Sequence, residues 1–315
     1  MKAVQFTQYG GPDVLQVREA ADPTPDANQV LIEVKATTVN RLDLFQRAGS
    51  RPVDNLPFTP GLEAAGVVVS DANGFSAGER VLTTRASLAK GGGGYASKIA
   101  APADSLVRIP EGVSFEQAVA AGLAASTAWG GLFDLGELQK GERVLIWAGS
   151  SGVGTLAIQF AKHTGAWVAT TASSSERADA LRKLGADLVI DHKTQDASKV
   201  LQEQGGVNLV IELVGSTLQT SLDACAPDGR IVLIGNLGGQ KATVDTQTWR
   251  LQRTHVIGGG QLRTSPQNEG KFLSLIAQKA VTPLIARTLP VEQAAQAHRL
   301  LESGDPQGKI VLVHP

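Results

Sequence analysis

The sequence predicts an α/β protein of two domains, one β-rich and one built on a doubly wound parallel sheet. Three observations carry this expectation. The 315 residues exceed what one small core organises, at roughly 100–200 residues per domain. Residues 1 to about 110 read as short strands broken by Gly, Pro, Asn and Asp, with little helical periodicity. From about 115 to 257, apolar runs of strand length alternate with amphipathic stretches of helix length, the pattern of parallel strands joined by helices.

In the first stretch the clearest strands are Val30-Leu31-Ile32-Glu33-Val34 and residues 64–69. The middle stretch holds six runs, at 143–148, 167–171, 188–191, 207–213, 230–235 and 255–258. They are apolar throughout, as strands covered on both faces are. The last stretch reads as a helix over 266–280, a strand over 284–288, a helix over 291–302 and a strand over 309–313. It is too small to stand alone and is expected to rejoin the first domain. The expected division is therefore 1–120 with 259–315 for the β-rich domain, and 121–258 for the wound sheet.

Composition narrows the function classes. The chain is 42% apolar and 19% charged, ordinary for a folded globular protein. Its net charge of −1 argues against nucleic acid as a partner. The single cysteine, Cys225, excludes an intrachain disulfide and a zinc site of several cysteines. Residues 1–6 read as a strand, not as the apolar core of a signal peptide, and no apolar run is long enough to span a bilayer. A cytoplasmic protein without membrane partners is expected.

The strongest chemical signal is Ala148-Gly149-Ser150-Ser151-Gly152-Val153-Gly154, directly after the first of the six runs. A helix opens behind it, with Val153, Leu156, Ala157, Phe160 and Ala161 on its apolar face. Glycines allow a tight turn and close approach of backbone N–H groups to a pyrophosphate, and the helix N-terminus favours negative charge. Strand, turn, helix and second strand occur in the order that a dinucleotide site requires.

The end of the second run discriminates between nicotinamide cofactors. NAD sites of this architecture place Asp or Glu there, against the ribose 2′-OH. Here Ala172 holds that position, followed by Ser173, Ser174, Ser175, Glu176 and Arg177. Hydroxyls and a guanidinium suit a 2′-phosphate, so NADPH is the expected cofactor, with Ser173 and Arg177 as its contacts. Ser173 and Glu176 also fit a helix capping box, a role compatible with the first. Val214, Gly235 and Asn236 follow the fourth and fifth runs, at strand carboxyl ends where ligands of open α/β sheets bind. Ordinary turn chemistry accounts for them equally.

Several segments together resemble the medium-chain dehydrogenase/reductase superfamily, and within it the zinc-independent, zeta-crystallin-like quinone oxidoreductases. They are Val39-Asn40-Arg41-Leu42-Asp43, Pro60-Gly61-Leu62-Glu63-Ala64-Ala65-Gly66, Gly94-Tyr95-Ala96, Ser126-Thr127-Ala128-Trp129, the glycine turn, Lys183-Leu184-Gly185-Ala186-Asp187, residues 297–304 and Gly308-Lys309-Ile310-Val311-Leu312. The resemblance spans essentially the whole chain. It implies a GroES-like substrate domain, a Rossmann domain, hydride transfer from NADPH to a quinone, and a homodimer or homotetramer, of which the homodimer is expected. It places Asn40 and Thr127 beside the nicotinamide, as the candidate catalytic residues. Without it, Asn40 reads as a turn residue and Thr127 as a helix residue bonding its own backbone. Ser150, Ser151, Gly152 and Val153 would meet the pyrophosphate, and His192 either stacks near the adenine or faces solvent. Asp43 is expected to hold its loop.

Zinc enzymes of the superfamily carry Cys where Asn40 stands and Gly-His-Glu where this chain has Gly61-Leu62-Glu63. Without those ligands no zinc site is expected. Loss of the Lewis acid favours reduction of an activated acceptor over alcohol oxidation. An enone or 2-alkenal reductase and a non-catalytic NADPH-binding protein are the alternatives. Phe45 stands where bacterial members carry a Tyr, and no side-chain general acid is evident.

Overall fold

The computed structural model describes residues 1–86, 89–260, 262, 265–304 and 306–315. These form two compact units, Met1–Leu123 with Ser265–Pro315, and Ala124–Thr264. The expected boundaries, 120/121 and 258/259, lie three and six residues earlier.

The first unit opens with a two-stranded antiparallel ribbon, β1 (Lys2–Gln5) and β2 (Gln16–Glu19). The long strand β3 (Gln29–Thr38) follows, then a helix α1 (Arg41–Ala48), and strands β4 (Ala64–Val68), β5 (Arg80–Thr83), β6 (Lys98–Pro102) and β7 (Leu106–Arg108). Along β3, Val30, Ile32 and Val34 are buried while Glu33 is exposed, the period-two pattern of a strand with one face on a core. That core includes Ala64, Val68, Val81, Ile99 and Leu106 from the strands around it. The alternation stops at Ala36-Thr37-Thr38, all buried, where β3 runs into the site described below.

Helix α1 was not evident from periodicity, because eight residues give only two turns. Its two ends are closed by local hydrogen bonds and a left-handed glycine. The Asp43 carboxylate accepts the Asn40 backbone N–H at 2.8 Å, Asp43 N bonds to the Asn40 backbone carbonyl at 3.0 Å, and Gly49 closes the helix at φ 81°.

Helix α2 (Phe115–Trp129) carries the chain into the second unit and contains a kink at Gly122, with φ 6° and ψ −114°. With the helical turn behind it, this is the one helix among the described residues long and apolar enough to cross a membrane, Phe115–Leu135. That corrects the expectation of no such run. Two-thirds of its most apolar stretch is buried within the protein, so it is built as a core helix.

The second unit alternates strands and helices as expected: β8 (Arg143–Ile146), α3 (Gly152–Thr164), β9 (Trp167–Ala172), α4 (Ser175–Lys183), β10 (Leu188–Asp191), α5 (Ala197–Gln202), β11 (Val207–Glu212), α6 (Leu218–Ala224), β12 (Cys225–Leu233), α7 (Thr246–Gln252) and β13 (His255–Gly258). All six strands are parallel, in the order β10-β9-β8-β11-β12-β13. The order reverses between β8 and β11, the switch point where doubly wound sheets bind ligands at their carboxyl ends. Strand β12 starts five residues before the expected 230, because Cys225 already pairs with Val207 ahead of a register shift.

The chain then returns to the first unit through α8 (Pro266–Ala277), β14 (Ile285–Pro290), α9 (Ala294–Ser303) and β15 (Lys309–Val313). Strand β15 pairs antiparallel with β3 and parallel with β14, giving the sheet order β14-β15-β3-β4-β5-β7, with β6 also on β3. Helix α8 ends three residues before the expected 280, as Lys279 turns to φ 59°. The helix expected from 291 begins with a single tight turn, Val291–Gln293.

Candidate functional site

The glycine turn lies between β8 and α3. Ala148, not a glycine, takes the left-handed conformation, at φ 52°. Its N–H is tied to Thr171 Oγ1 on β9 at 3.2 Å. Gly149 and Gly154 are required by proximity: a Cβ on Gly149 would collide with Thr170 Oγ1, and one on Gly154 with the Ala148 carbonyl. Ser151 caps α3, its Oγ accepting from Gly154 N at 3.0 Å, while Thr155 N bonds to the Ser151 carbonyl. The N–H groups of Gly152 and Val153 therefore remain as the helix's outward donors, half-buried at the head of its dipole. Two aligned N–H groups at a helix start fit a pyrophosphate.

Beside this turn opens a cavity of about 550 Å³, lined among others by Ala148, Thr171, His192, Val214, Thr217 and Gly238. It sits at the carboxyl ends of the strands and is large enough for a nucleotide portion. His192 and Val214 both line it. Gly235 and Asn236 stand one step back, where a Cβ on Gly235 would meet the Leu213 carbonyl and one on Gly215 the Asn236 Cα. Leu237 N and Gly238 N bond to the Leu213 and Val214 carbonyls, so the loops after β11 and β12 are fastened together.

Glu212, the last residue of β11, is fully buried and was not singled out in the sequence. Its carboxylate accepts from Val214 N (2.7 Å), Gly215 N (2.9 Å), Thr217 Oγ1 (2.8 Å) and Ser221 Oγ (2.6 Å). Ser221 Oγ in turn accepts from Trp147 Nε1 at 2.8 Å. One buried carboxylate thereby joins the loop after β11 to the residue preceding the glycine turn.

At the end of β9, Ser173 is half-buried and lies between the strand and α4. The cap of α4 is Ser174, which accepts from Arg177 N at 3.4 Å. The capping box expected from Ser173 and Glu176 is therefore not the one formed. The strand runs one residue further, through Ala172, and shifts the cap accordingly. Arg177 stands in the first turn of α4, half-buried, three residues past the cap.

In the first unit, Asn40 is built into a polar cluster. Its Nδ2 donates to Glu63 Oε1 (3.0 Å) and to Thr38 Oγ1 (3.2 Å), and its Oδ1 accepts from Lys309 Nζ at 2.7 Å. Lys309 also donates to Glu63 Oε1 at 3.1 Å, and Thr38 donates its hydroxyl to the same oxygen. Glu63 is fully buried, and its other oxygen accepts Leu123 N at 2.5 Å, in the kink of α2. Gly122 makes this possible, because a Cβ there would fall on Glu63 Oε2. Glu63 and Lys309 carried no individual signal in the sequence beyond the segments around them. Thr127 lies half-buried on the part of α2 that belongs to the second unit.

Asp43 holds its loop as expected, accepting from Asn40 N and Gly61 N (2.9 Å). Burial pushes its carboxyl up to about 6, against those two bonds and the Lys309 charge. Tyr95 is fully buried and bonded to His298 Nε2 at 2.9 Å, while Arg47 meets Nδ1 at 3.3 Å. Burial raises the Tyr95 hydroxyl well above the ordinary phenol range, and with no exposed surface and His298 as its partner it serves as a structural group. Where zinc enzymes place ligands, Asn40 is engaged as above and Leu62 is buried. Among the described residues no group of three or more His, Cys, Asp or Glu is arranged to hold a metal.

Two family models match the chain: the alcohol dehydrogenase GroES-like domain over residues 26–111 and the zinc-binding dehydrogenase domain over residues 152–278. The pig (Sus scrofa) quinone oxidoreductase is 32% identical, over 99% of this chain and 98% of its own. Among solved structures, an NAD-dependent alcohol dehydrogenase superposes with a TM-score of 0.92 at 29% identity, covering 99% of both chains. The Escherichia coli quinone oxidoreductase complexed with NADPH superposes at 0.89 and 30% identity, covering 99% of this chain and 100% of that one. Full-length similarity at this level, on a GroES-like unit and a wound parallel sheet with a glycine turn, establishes that the chain belongs to the quinone oxidoreductases of the medium-chain dehydrogenase/reductase superfamily.

Proposed function

We propose that the protein binds NADPH and reduces a quinone by hydride transfer from the nicotinamide. The observation that carries the reading is the outward-facing Gly152 and Val153 N–H pair beside the strand-end cavity, in a chain of this family. NADPH-dependent oxidoreductase activity follows from that family and from the NADPH held by its E. coli relative.

The residues divide the work by position. Ser150 and Ser151 shape the turn, Gly152 and Val153 bind the pyrophosphate, and Ser173 with Arg177 takes the 2′-phosphate. His192 and Val214 line the nucleotide cavity, with Gly235 and Asn236 supporting the Val214 loop from behind. Asn40 and Thr127 orient the nicotinamide half. The cofactor supplies the hydride; the chain holds it in place, and no side chain here is assigned as general acid. A homodimer is part of the proposal, supported by β13, the outermost strand of its sheet with both end residues exposed.

The test is oxidation of NADPH and of NADH by the purified protein, with 1,4-benzoquinone as acceptor and a metal chelator present. Turnover with NADPH, much slower with NADH and indifferent to chelator, is expected. Turnover with a conjugated enone but no quinone would replace the acceptor class. Cofactor binding without turnover on either would make the protein a non-catalytic binder.

A further inference from the structure

Asn40 is a half-buried amide whose orientation is decided by its neighbours. A lysine ammonium can only donate, and a carboxylate can only accept. Lys309 Nζ at 2.7 Å therefore fixes the amide oxygen on one side, and Glu63 Oε1 at 3.0 Å fixes the nitrogen on the other. The second amide hydrogen goes to Thr38 Oγ1, whose own hydrogen is directed to Glu63. Both Asn40 amide hydrogens are thus committed within the protein. Toward a ligand, Asn40 acts only through Oδ1, in the field of the ammonium beside it.

The cluster is held with little freedom. Glu63 is fully buried and the Lys309 side chain is 8% exposed. Its members come from distant parts of the chain: the end of β3, the segment entering β4, the kink of α2 and the first residue of β15. Replacing one partner of a buried, hydrogen-bonded charge pair leaves the other uncompensated. The arrangement is therefore costly to relax once formed, which suits a device that holds one amide still.

We propose that Glu63 and Lys309 are positioning residues that lock Asn40 as a hydrogen-bond acceptor for the nicotinamide half of the cofactor, a half that offers ribose hydroxyl and carboxamide N–H donors. The inference rests on the reading of the chain as an NADPH-binding enzyme and assigns the recognition chemistry at one of its residues.

The test compares two probes on the full chain, NADP⁺ and 2′,5′-ADP, which lacks the nicotinamide half. Affinities are measured calorimetrically for the wild type, Lys309→Met, Lys309→Arg, Thr38→Val and Asn40→Ala, with melting curves to confirm folding. Lys309→Met should weaken NADP⁺ about five- to tenfold, the scale of one charge-assisted hydrogen bond, and leave 2′,5′-ADP unchanged. Lys309→Arg, which keeps donors for both oxygens, should restore most of the loss. Lys309→Met combined with Asn40→Ala should lose no more than Asn40→Ala alone. Thr38→Val, close to threonine in shape, frees one amide hydrogen and should weaken NADP⁺ selectively, so the proposal remains testable if Lys309→Met does not fold. Folded variants at Lys309 or Thr38 that bind NADP⁺ like the wild type would overturn the proposal, as would equal losses for the two probes. A wild type that binds neither probe would instead refute the NADPH reading itself.

Discussion

Glu212→Gln probes how the second unit builds its cavity. The change preserves shape but replaces a fully buried carboxylate by a neutral amide. If the amide oxygen stays with Val214 N and Gly215 N, the new NH₂ group faces Thr217 Oγ1 and Ser221 Oγ. Ser221 already accepts from Trp147 Nε1, so it must take a second donor and redirect its own hydrogen. Hydrogen bonds to a charged acceptor contribute roughly 1.5–3 kcal/mol each and neutral ones about 1. Weakening two backbone bonds and disturbing the Ser221 link, partly offset by the smaller desolvation of an amide, gives a loss of roughly 2 kcal/mol. At about 2–4 °C per kcal/mol for a domain of this size, the transition of the second unit should fall by ~4–8 °C. The loosened segment carries Val214 and Thr217, both on the cavity wall, so 2′,5′-ADP affinity should fall as well. Differential scanning calorimetry and titration with 2′,5′-ADP read the two effects. A variant with wild-type melting and wild-type affinity would refute the account of Glu212 as the fastener of the loop after β11.

Three further outcomes follow from the geometry. Arg177→Ala should weaken NADPH binding about tenfold, the scale of a charge-assisted bond to phosphate, and leave NADH nearly unchanged; equal losses in a side-by-side titration would remove Arg177 from 2′-phosphate recognition. Gly122→Ala places a methyl on Glu63 Oε2 and should destabilise the first unit by roughly 2–4 kcal/mol; an unchanged melting temperature would mean that the kink accommodates a side chain freely. Burial, and then the adjacent Arg47 charge, lower the His298 imidazole from 6.5 to about 3. The unfolded chain thus takes up a proton at a pH where the folded one does not. The stability associated with neutral His298 is complete above about 6.5 and is lost progressively as pH falls toward 3. Denaturant titrations from pH 8 to 4 should show the wild type losing stability more steeply than His298→Gln, and parallel curves would contradict the assignment.

Local pattern determined much of this protein. The six apolar runs became the six parallel strands, because a strand covered on both faces needs no partner information to be recognised. The glycine turn was legible for the same reason: tight turns and close backbone approach demand small residues at fixed offsets. Asp43 was read correctly as a loop-holding residue, its carboxylate accepting from Asn40 N and Gly61 N. Where several readings of one local rule competed, the sequence erred by small shifts. Any of three serines could cap α4, and only the length of β9 selected Ser174.

The tertiary structure decided what depends on residues far apart in the chain. Lys309 meets Asn40 across 269 positions because β15 pairs with β3, and no spacing in the sequence records that pairing. Glu63 reads as one acidic residue among 30 until burial leaves its carboxylate among Thr38, Asn40, Lys309 and the kink of α2. Glu212 likewise ends an ordinary apolar strand, and its role arises only because the loop behind it and helix α6 fold back to supply four donors. Backbone periodicity and turn chemistry are local properties and survive in the linear sequence. The partners of a buried charge are a property of the folded core, because burial itself is what makes those partners necessary.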